Sequence, residues 1–455
     1  AVELDRWDMA LADLNALPCA DLPPGARFHV AALLLQTGQF MRAIEEYQGV
    51  LARNPAHFES WLGLAGAYER ANDLPKMRDA LASAARYADT PPRQAALDHL
   101  RGKSAFRDGD YAGACALLQH AWRDGDGNPL WKSQVGFELA QSLDKAKRYP
   151  EAWQTLNQAH DIRNRVVGGS RGDLQALDFF SLLRAPVPGR WPSAPSSDGH
   201  PDPVFVVGFP RSGTTLLEQI LDARPSLVSF DEQPFLPKTL LKLQELGLRY
   251  PEQLHELVPE QIGRLRAYYF AQAESKASAG NGERLVDKNP LNWARLPLVR
   301  ALFPQAHIIL ALRHPLDVIL SCYMQNLRST VLDGAFSHFG RIVELYVEMV
   351  AYWKRLEPEL AMPVLVSRYE DLVSDPESGT RRIAEFLDLP WSPDWLDNST
   401  HARSKGIIHT PSYAQVLEPL NTRAMGRWRN YRDLFDPAVL EVLRPAAEAM
   451  GYPLE

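Results

Sequence analysis

Apolar residues in the first third of the chain recur with helical period and are interrupted at near-regular intervals by short polar turns, a pattern that predicts pairs of amphipathic helices. In the first clear unit Gly38, Phe40 and Ala43 lead to Tyr47 and Val50, and Pro55 closes it. Thirty-four residues on, Trp61, Leu64, Ala65, Tyr68, Leu81 and Ala84 occupy corresponding or neighbouring positions, ended by Asp89, Thr90 and Pro91. The pattern returns at Gly109, Tyr111, Ala114, Leu118 and Ala121, then more loosely at Arg148, Tyr149, Ala152, Leu156 and Ala159, which makes about four units. From Val166 the periodicity fades. Residues 185–203 are dense in Pro, Ser and Gly, which neither continue a helix nor build a core. The chain thus divides into helical repeats at 1–165, a helix plus linker at 166–203 and a second domain at 204–455. That domain opens on Val204, Phe205, Val206 and Val207, a run suited to a parallel strand buried on both faces. Residues 306–312 read as another such strand, and the helix-forming stretches between them predict an α/β domain with a central parallel sheet.

Small residues where helices cross, with aromatics filling the adjacent gaps, make the front half resemble tetratricopeptide repeats (TPR). The resemblance implies an all-α solenoid whose concave surface holds a peptide or another protein.

The strand at 204–207 runs into Gly208, Phe209, Pro210, Arg211, Ser212, Gly213, Thr214 and Thr215, followed by the apolar helical face of 216–221. A strand, a glycine loop and a helix N-terminus form an anion cradle, because backbone N–H groups converge and the helix dipole adds partial positive charge. The spacing is that of the P-loop G-x-x-x-x-G-K-S/T, but Thr214 stands where Lys would reach the outer phosphates of a triphosphate. A nucleotide kinase or ATPase is disfavoured, and a nucleotide with one phosphate group in the cradle is favoured. Arg313 ends the second predicted strand with a fork of donors, and Ser321 follows eight residues later on the next helix.

These two motifs resemble those of sulfotransferases, which use 3′-phosphoadenosine 5′-phosphosulfate (PAPS) and release adenosine 3′,5′-bisphosphate. Over roughly 204–435 the similarity is to the tyrosylprotein branch. The resemblance implies that Arg211, Ser212, Gly213, Thr214 and Thr215 hold the 5′-phosphosulfate and that Arg313 and Ser321 hold the 3′-phosphate. It further implies that Glu232, in Ser-Phe-Asp-Glu-Gln-Pro, is the catalytic base and that Lys288, in Val-Asp-Lys-Asn-Pro, faces the leaving phosphate. Tyr369, in Tyr-Glu-Asp-Leu, matches the family position contacting the adenosine end. Ser412, Gln415, Asn421 and Arg427 match the family's late loop, with Ser412 near the sulfuryl oxygens and Gln415, Asn421 and Arg427 on the cofactor. Gln325 stands where the family often carries another Arg, with Arg328 as a substitute, and Glu418 replaces a Lys.

Sulfuryl transfer is mainly a problem of in-line positioning and charge stabilisation, and an attacking hydroxyl must lose its proton. A carboxylate, two cations and a hydroxyl (Glu232, Lys288, Arg211, Ser412) are the candidates for this, and the 12 histidines show no HExxH or similar ligand spacing, so no metal is expected. The net charge of −7 offers no global positive field for nucleic acid, and no stretch approaches a bilayer span. The first residues carry charges where a signal peptide needs an apolar core, and the three cysteines are too few for a disulfide framework, so a cytoplasmic protein is expected. The leading expectation is a PAPS-dependent sulfotransferase acting on a protein or peptide hydroxyl, tyrosine included, recruited by the TPR surface. The same reaction on a small molecule, lipid or saccharide is the alternative. A third reading is a TPR scaffold with an inactive nucleotide-binding domain. His314 is the nearest alternative base in sequence, and the choice between monomer and homodimer stays open.

Overall fold

A computed structural model describes residues 14, 17, 22–125, 128–167, 179–192, 198–276, 283–326, 332, 334–397 and 422–454. The chain separates into two compact units, residues 1–168 and 169–455.

The first unit is helical: α1 (Pro24–Gln36), α2 (Phe40–Arg53), α3 (Phe58–Arg70), α4 (Leu74–Ala84), α5 (Pro91–Arg107), α6 (Tyr111–Asp124), α7 (Pro129–Lys145) and α8 (Tyr149–Val167). Asn128 and Asp110 show how the chain starts these helices, each side chain accepting backbone N–H groups of the first turn. The repeat is legible in backbone geometry. Gly38, Asn72, Gly109 and Lys147 all have positive φ at the turn inside a helix pair. After each of them the next N–H reaches back to a carbonyl five residues earlier: Gln39 to Leu34, Asp73 to Tyr68, Asp110 to Ala105 and Arg148 to Leu143, all at 2.8–2.9 Å. The small residues Ala43, Ala65, Ala114, Ala121, Ala152 and Ala159 are fully buried, as close helix crossings require.

Among the described residues the second unit is built on a five-stranded, all-parallel sheet: β1 (Val204–Gly208), β2 (Leu227–Asp231), β3 (Arg284–Lys288), β4 (His307–Leu312) and β5 (Val364–Arg368), in the order β2-β3-β1-β4-β5. The helices between strands are α9 (Thr214–Asp222), α10 (Phe235–Glu245), α11 (Pro259–Glu274), α12 (Leu296–Leu302), α13 (Pro315–Tyr323) and α14 (Phe339–Leu360). Beyond β5 lie α15 (Tyr369–Ser374), α16 (Pro376–Phe386), a 3-10 turn at Arg427–Leu434 and α17 (Pro437–Ala449). From central β1 the chain moves toward β2 on one side, and from β3 it crosses to β4 on the other. The crevice at the carboxyl ends of β1 and β4 is therefore the topological switch point, where open α/β sheets bind ligands.

The Pro-rich stretch ahead of β1 ends helix formation without coming loose from this unit. Arg184 pairs with Glu348 at 2.7 Å, Trp191 donates to the Glu359 carbonyl, and Asp198 and Asp202 both clamp the buried Arg266. Among the described residues no helix is long and apolar enough to cross a membrane.

Candidate active site

The loop between β1 and α9 turns through two left-handed residues, Arg211 (φ 73°) and Gly213 (φ 96°). A Cβ on Gly208 would lie 2.6 Å from the Ala311 carbonyl of β4, and one on Gly213 2.7 Å from the Tyr369 ring. Only glycine permits so close an approach between the loop, β4 and α15. Thr214 and Thr215 open α9 at its N-terminus, both buried. Ser212 is turned back, its hydroxyl donating to the Phe209 carbonyl at 2.6 Å.

Arg313 leaves the end of β4 and packs across the Tyr369 ring, 4.7 Å from its centroid. It donates to the carbonyls of Arg211 and Ala424, while its buried Nε has no partner. Ser321 lies two turns along α13 and accepts a hydrogen bond from Arg211 Nε at 3.2 Å. The two phosphate motifs thus meet although 110 residues apart in sequence. Burial, reinforced by Arg313 and Arg427, holds the Arg211 guanidinium below its ordinary range, while Cys322 and Glu232 oppose the shift. Three guanidiniums gathered under partial burial, one with an orphaned donor, form a site that an anionic ligand would relieve.

Asp317, missed in the sequence, explains how Arg427 arrives. Its carboxylate is 2% exposed and accepts the backbone N–H of Gly426 at 2.7 Å and of Trp428 at 2.9 Å, tying the 3-10 turn to α13. The signal was present in Arg-His-Pro-Leu-Asp, an acid in the first turn of a helix, but its partners lie 109 and 111 residues away.

On the other side of β1, Lys288 ends β3 fully buried and opposite Asp231 in the parallel register. Its ammonium contacts Asp231, Glu232 at 3.1 Å and Glu218 at 3.5 Å. Asp287 does not pair with it; that side chain faces Tyr269 and Asn292 instead. Glu232 follows β2 in a left-handed conformation (φ 49°), its N–H donated to the Lys288 carbonyl, its side chain half-exposed. Glu218 was not singled out from the sequence, although a Glu within the apolar run of α9 signals a buried charge with a partner. Burial pushes its carboxyl up to about 7; Asp231 and Asp222 add to this, while Lys288 and Ser229 work against it.

His314 stacks on Trp428 with rings 4.9 Å apart, and its backbone N–H donates to Glu370, which also accepts from Tyr452. Burial lowers its imidazole below the usual value, and these contacts give it a packing role. Gln325 lies just past α13, and Arg328, Ser412, Gln415, Glu418 and Asn421 fall outside the described residues.

The strand, glycine loop and helix at the switch point define a P-loop α/β domain built for an anionic ligand. Residues 203–393 match the sulfotransferase family model and residues 31–89 a tetratricopeptide repeat model, so the chain carries a sulfotransferase domain behind TPR helices. An uncharacterized Aquifex aeolicus protein is 28% identical over 341 residues, 71% of this chain and 43% of that protein. Protein-tyrosine sulfotransferase A of Caenorhabditis elegans is 25% identical over 260 residues, 55% of this chain and 67% of the relative. Human protein-tyrosine sulfotransferase 1 is 25% identical over 268 residues, 55% and 69% respectively. Among solved structures, the sulfotransferase domain of the Synechococcus PCC 7002 olefin synthase covers 58% of this chain and 100% of its own, at 23% identity and a TM-score of 0.41.

Proposed function

We propose that the chain transfers a sulfuryl group from PAPS to a hydroxyl on a protein or peptide, tyrosine being the leading acceptor. PAPS, when bound, supplies the sulfuryl group and departs as adenosine 3′,5′-bisphosphate. The observation that carries the reading is the convergence, at the C-terminal edge of one sheet, of a cationic pocket with a Lys–carboxylate pair. Its fit to the donor rests on the orphaned Arg313 Nε and on the cradle that a Cβ at Gly213 would fill.

Loop N–H groups at Thr214 and Thr215, together with Arg211, would hold a 5′-phosphate, and Arg313, Ser321 and Arg427 a 3′-phosphate. Tyr369, beneath Arg313 and against Gly213, would meet the adenosine end. Lys288 supplies positive charge where negative charge develops on the departing phosphate. The half-exposed Glu232, held 3.1 Å from the Lys288 ammonium, takes the acceptor hydroxyl's proton. The TPR helices would recruit or orient the acceptor, in a cytoplasmic setting consistent with buried free thiols at Cys115 and Cys322. Homology to protein-tyrosine sulfotransferases at about a quarter identity supports the acceptor class.

Incubating the protein with radiolabelled PAPS and a lysate tests the reading. Label on macromolecules that survives as sulfotyrosine supports it, label only on low-mass material moves the acceptor to small molecules, and no transfer removes the activity.

A further inference from the structure

Lys288 has three N–H donors, and three carboxylates surround it: Asp231 and Glu232 from the end of β2, and Glu218 from α9. One ammonium cannot neutralise three carboxylates, and where a carboxylate is also buried a proton makes up part of the balance. The burial gradient decides where it sits. The Glu232 side chain is half-exposed and Asp231 partly so, whereas the Glu218 side chain is 5% exposed. Glu218 has one further support, the Ser229 hydroxyl donating to Oε1 at 3.2 Å, and its Oε2 has no hydrogen-bond partner. Asp222 on the same helix adds negative charge. Glu218 also has the longest of the three contacts to Lys288, so it is the partner most readily given up.

Resting on the donor reading above, we propose that Glu218 is a proton-holding positioning residue: it shares Lys288 in the free protein and takes up a proton when Lys288 turns an N–H toward the 5′-phosphate of the bound nucleotide. The proton comes from solvent, the ammonium keeps its charge, and the cluster exchanges one ionic partner for a bound anion. Storing the compensating charge at Glu218 leaves Glu232 available as base. The free carboxyl already titrates near 7 because burial and the neighbouring acids outweigh Lys288 and Ser229, and loss of the Lys288 contact moves it further up. At pH 7 about half a proton per nucleotide is then taken up at this site, rising at pH 8 and vanishing well below pH 6, where Glu218 is protonated beforehand.

Calorimetric titration of the full chain with adenosine 3′,5′-bisphosphate, in buffers of different ionisation enthalpy at pH 6, 7 and 8, counts those protons. Phosphate titration of the nucleotide contributes to every variant, so the difference between wild type and Glu218→Gln is the quantity read. Wild type should take up about half a proton more at pH 7, and its affinity should weaken about threefold more steeply per pH unit there. Ser229→Ala, which removes the hydroxyl but no charge, should shift the excess uptake to higher pH, and it decides the matter if Glu218→Gln does not fold. Equal uptake in wild type and Glu218→Gln, or an unshifted Ser229→Ala profile, overturns the inference. Wild type binding the bisphosphate no better than AMP would overturn the donor reading instead.

Discussion

Replacing Asp317 by Asn changes one oxygen to an amide nitrogen and little else, at a residue expected never to touch a ligand. The carboxylate satisfies two backbone donors at once, Gly426 N–H at 2.7 Å and Trp428 N–H at 2.9 Å, in a place that is 2% exposed. The amide can accept only one of them and turns its own donors toward the other. The loss is one charge-assisted bond, about 1.5–3 kcal/mol, part of which is the cost of a buried N–H left unpaired. About 3 kcal/mol is the upper end, equivalent to roughly 150-fold in an equilibrium constant. What that energy holds is the Met425–Trp428 turn against α13. That turn sets the Arg427 guanidinium against the Met324 sulfur and presents the Ala424 carbonyl to Arg313. The expected result of Asp317→Asn is a ten- to 150-fold loss of adenosine 3′,5′-bisphosphate affinity by calorimetry, with a much smaller loss for AMP, which lacks the 3′-phosphate. Bisphosphate affinity within twofold of wild type, in a variant that melts normally, would refute the latch and with it the route by which Arg427 reaches the pocket.

Glu232→Gln should leave nucleotide affinity nearly unchanged while turnover falls by ~10² to 10⁴, the range for losing a general base; near-normal turnover with chemistry rate-limiting would assign the base elsewhere. Lys288→Ala should depress turnover and, more weakly, nucleotide binding. It also strands Asp231, Glu218 and Glu232 together, so residual activity should move to higher pH, and an unshifted pH–rate profile would contradict the cluster. A chain cut after residue 168 should keep bisphosphate binding and lose turnover on the natural acceptor. One cut at residue 201 should melt earlier, because Asp198 leaves the buried Arg266 with fewer partners. In the repeats, the Glu138 carboxyl is partly buried, and His99 and Lys103 outweigh that burial and hold it at about 2. Its contribution is present above the ordinary carboxylate value and disappears as pH falls toward 2, so Glu138→Gln should flatten the acid limb of a stability–pH profile.

The motifs were readable because each is local. Arg211 through Thr215 is a contiguous loop, and Arg313 and Ser321 sit on one strand end and the helix after it. Their meeting through Arg211 Nε and Ser321 Oγ was implied only by the family resemblance. The repeat was readable for a similar reason. Its looser later units keep the same turn geometry, with Lys147 adopting the left-handed conformation that Gly38 and Gly109 take more easily. Asp317 and Glu218 were not legible. Their work depends on partners brought close by the sheet order, and a single acid in a helix looks alike whether it caps a distant turn or faces solvent. In the sequence Asp287 is the acid adjacent to Lys288 and the obvious local partner for it. Alternation along β3 instead sends Asp287 to Tyr269, on the opposite face from Lys288.

The charge distribution connects the two halves of the site. A chain of net charge −7 repels anions at long range, so a phosphate ligand must be held by a few cations in a place where water is scarce. The protein concentrates Arg211, Arg313 and Arg427 at the β1/β4 side of the crevice, where burial makes their mutual repulsion costly and an anion correspondingly welcome. On the β2/β3 side it does the reverse, placing three carboxylates around one lysine. The boundary between the two fields falls at the end of β1, where Lys288 pairs in register with Val206 and the phosphate loop begins two residues later. A bound nucleotide would put its 5′ end at that boundary, between cations that hold it and carboxylates that receive a proton. Sulfuryl transfer needs that polarity, with cations facing the departing phosphate as it gains negative charge and a base beside the attacking hydroxyl. Reversing it locally, by Glu218→Lys, should cost the fold before it costs the chemistry, because a second buried ammonium would then face Lys288 with only Asp231 and Glu232 to divide between them. The expected outcome is a variant that melts well below wild type and regains part of the loss at high pH as one ammonium deprotonates, and a melting temperature equal to wild type would mean that Lys288 does not depend on this cluster.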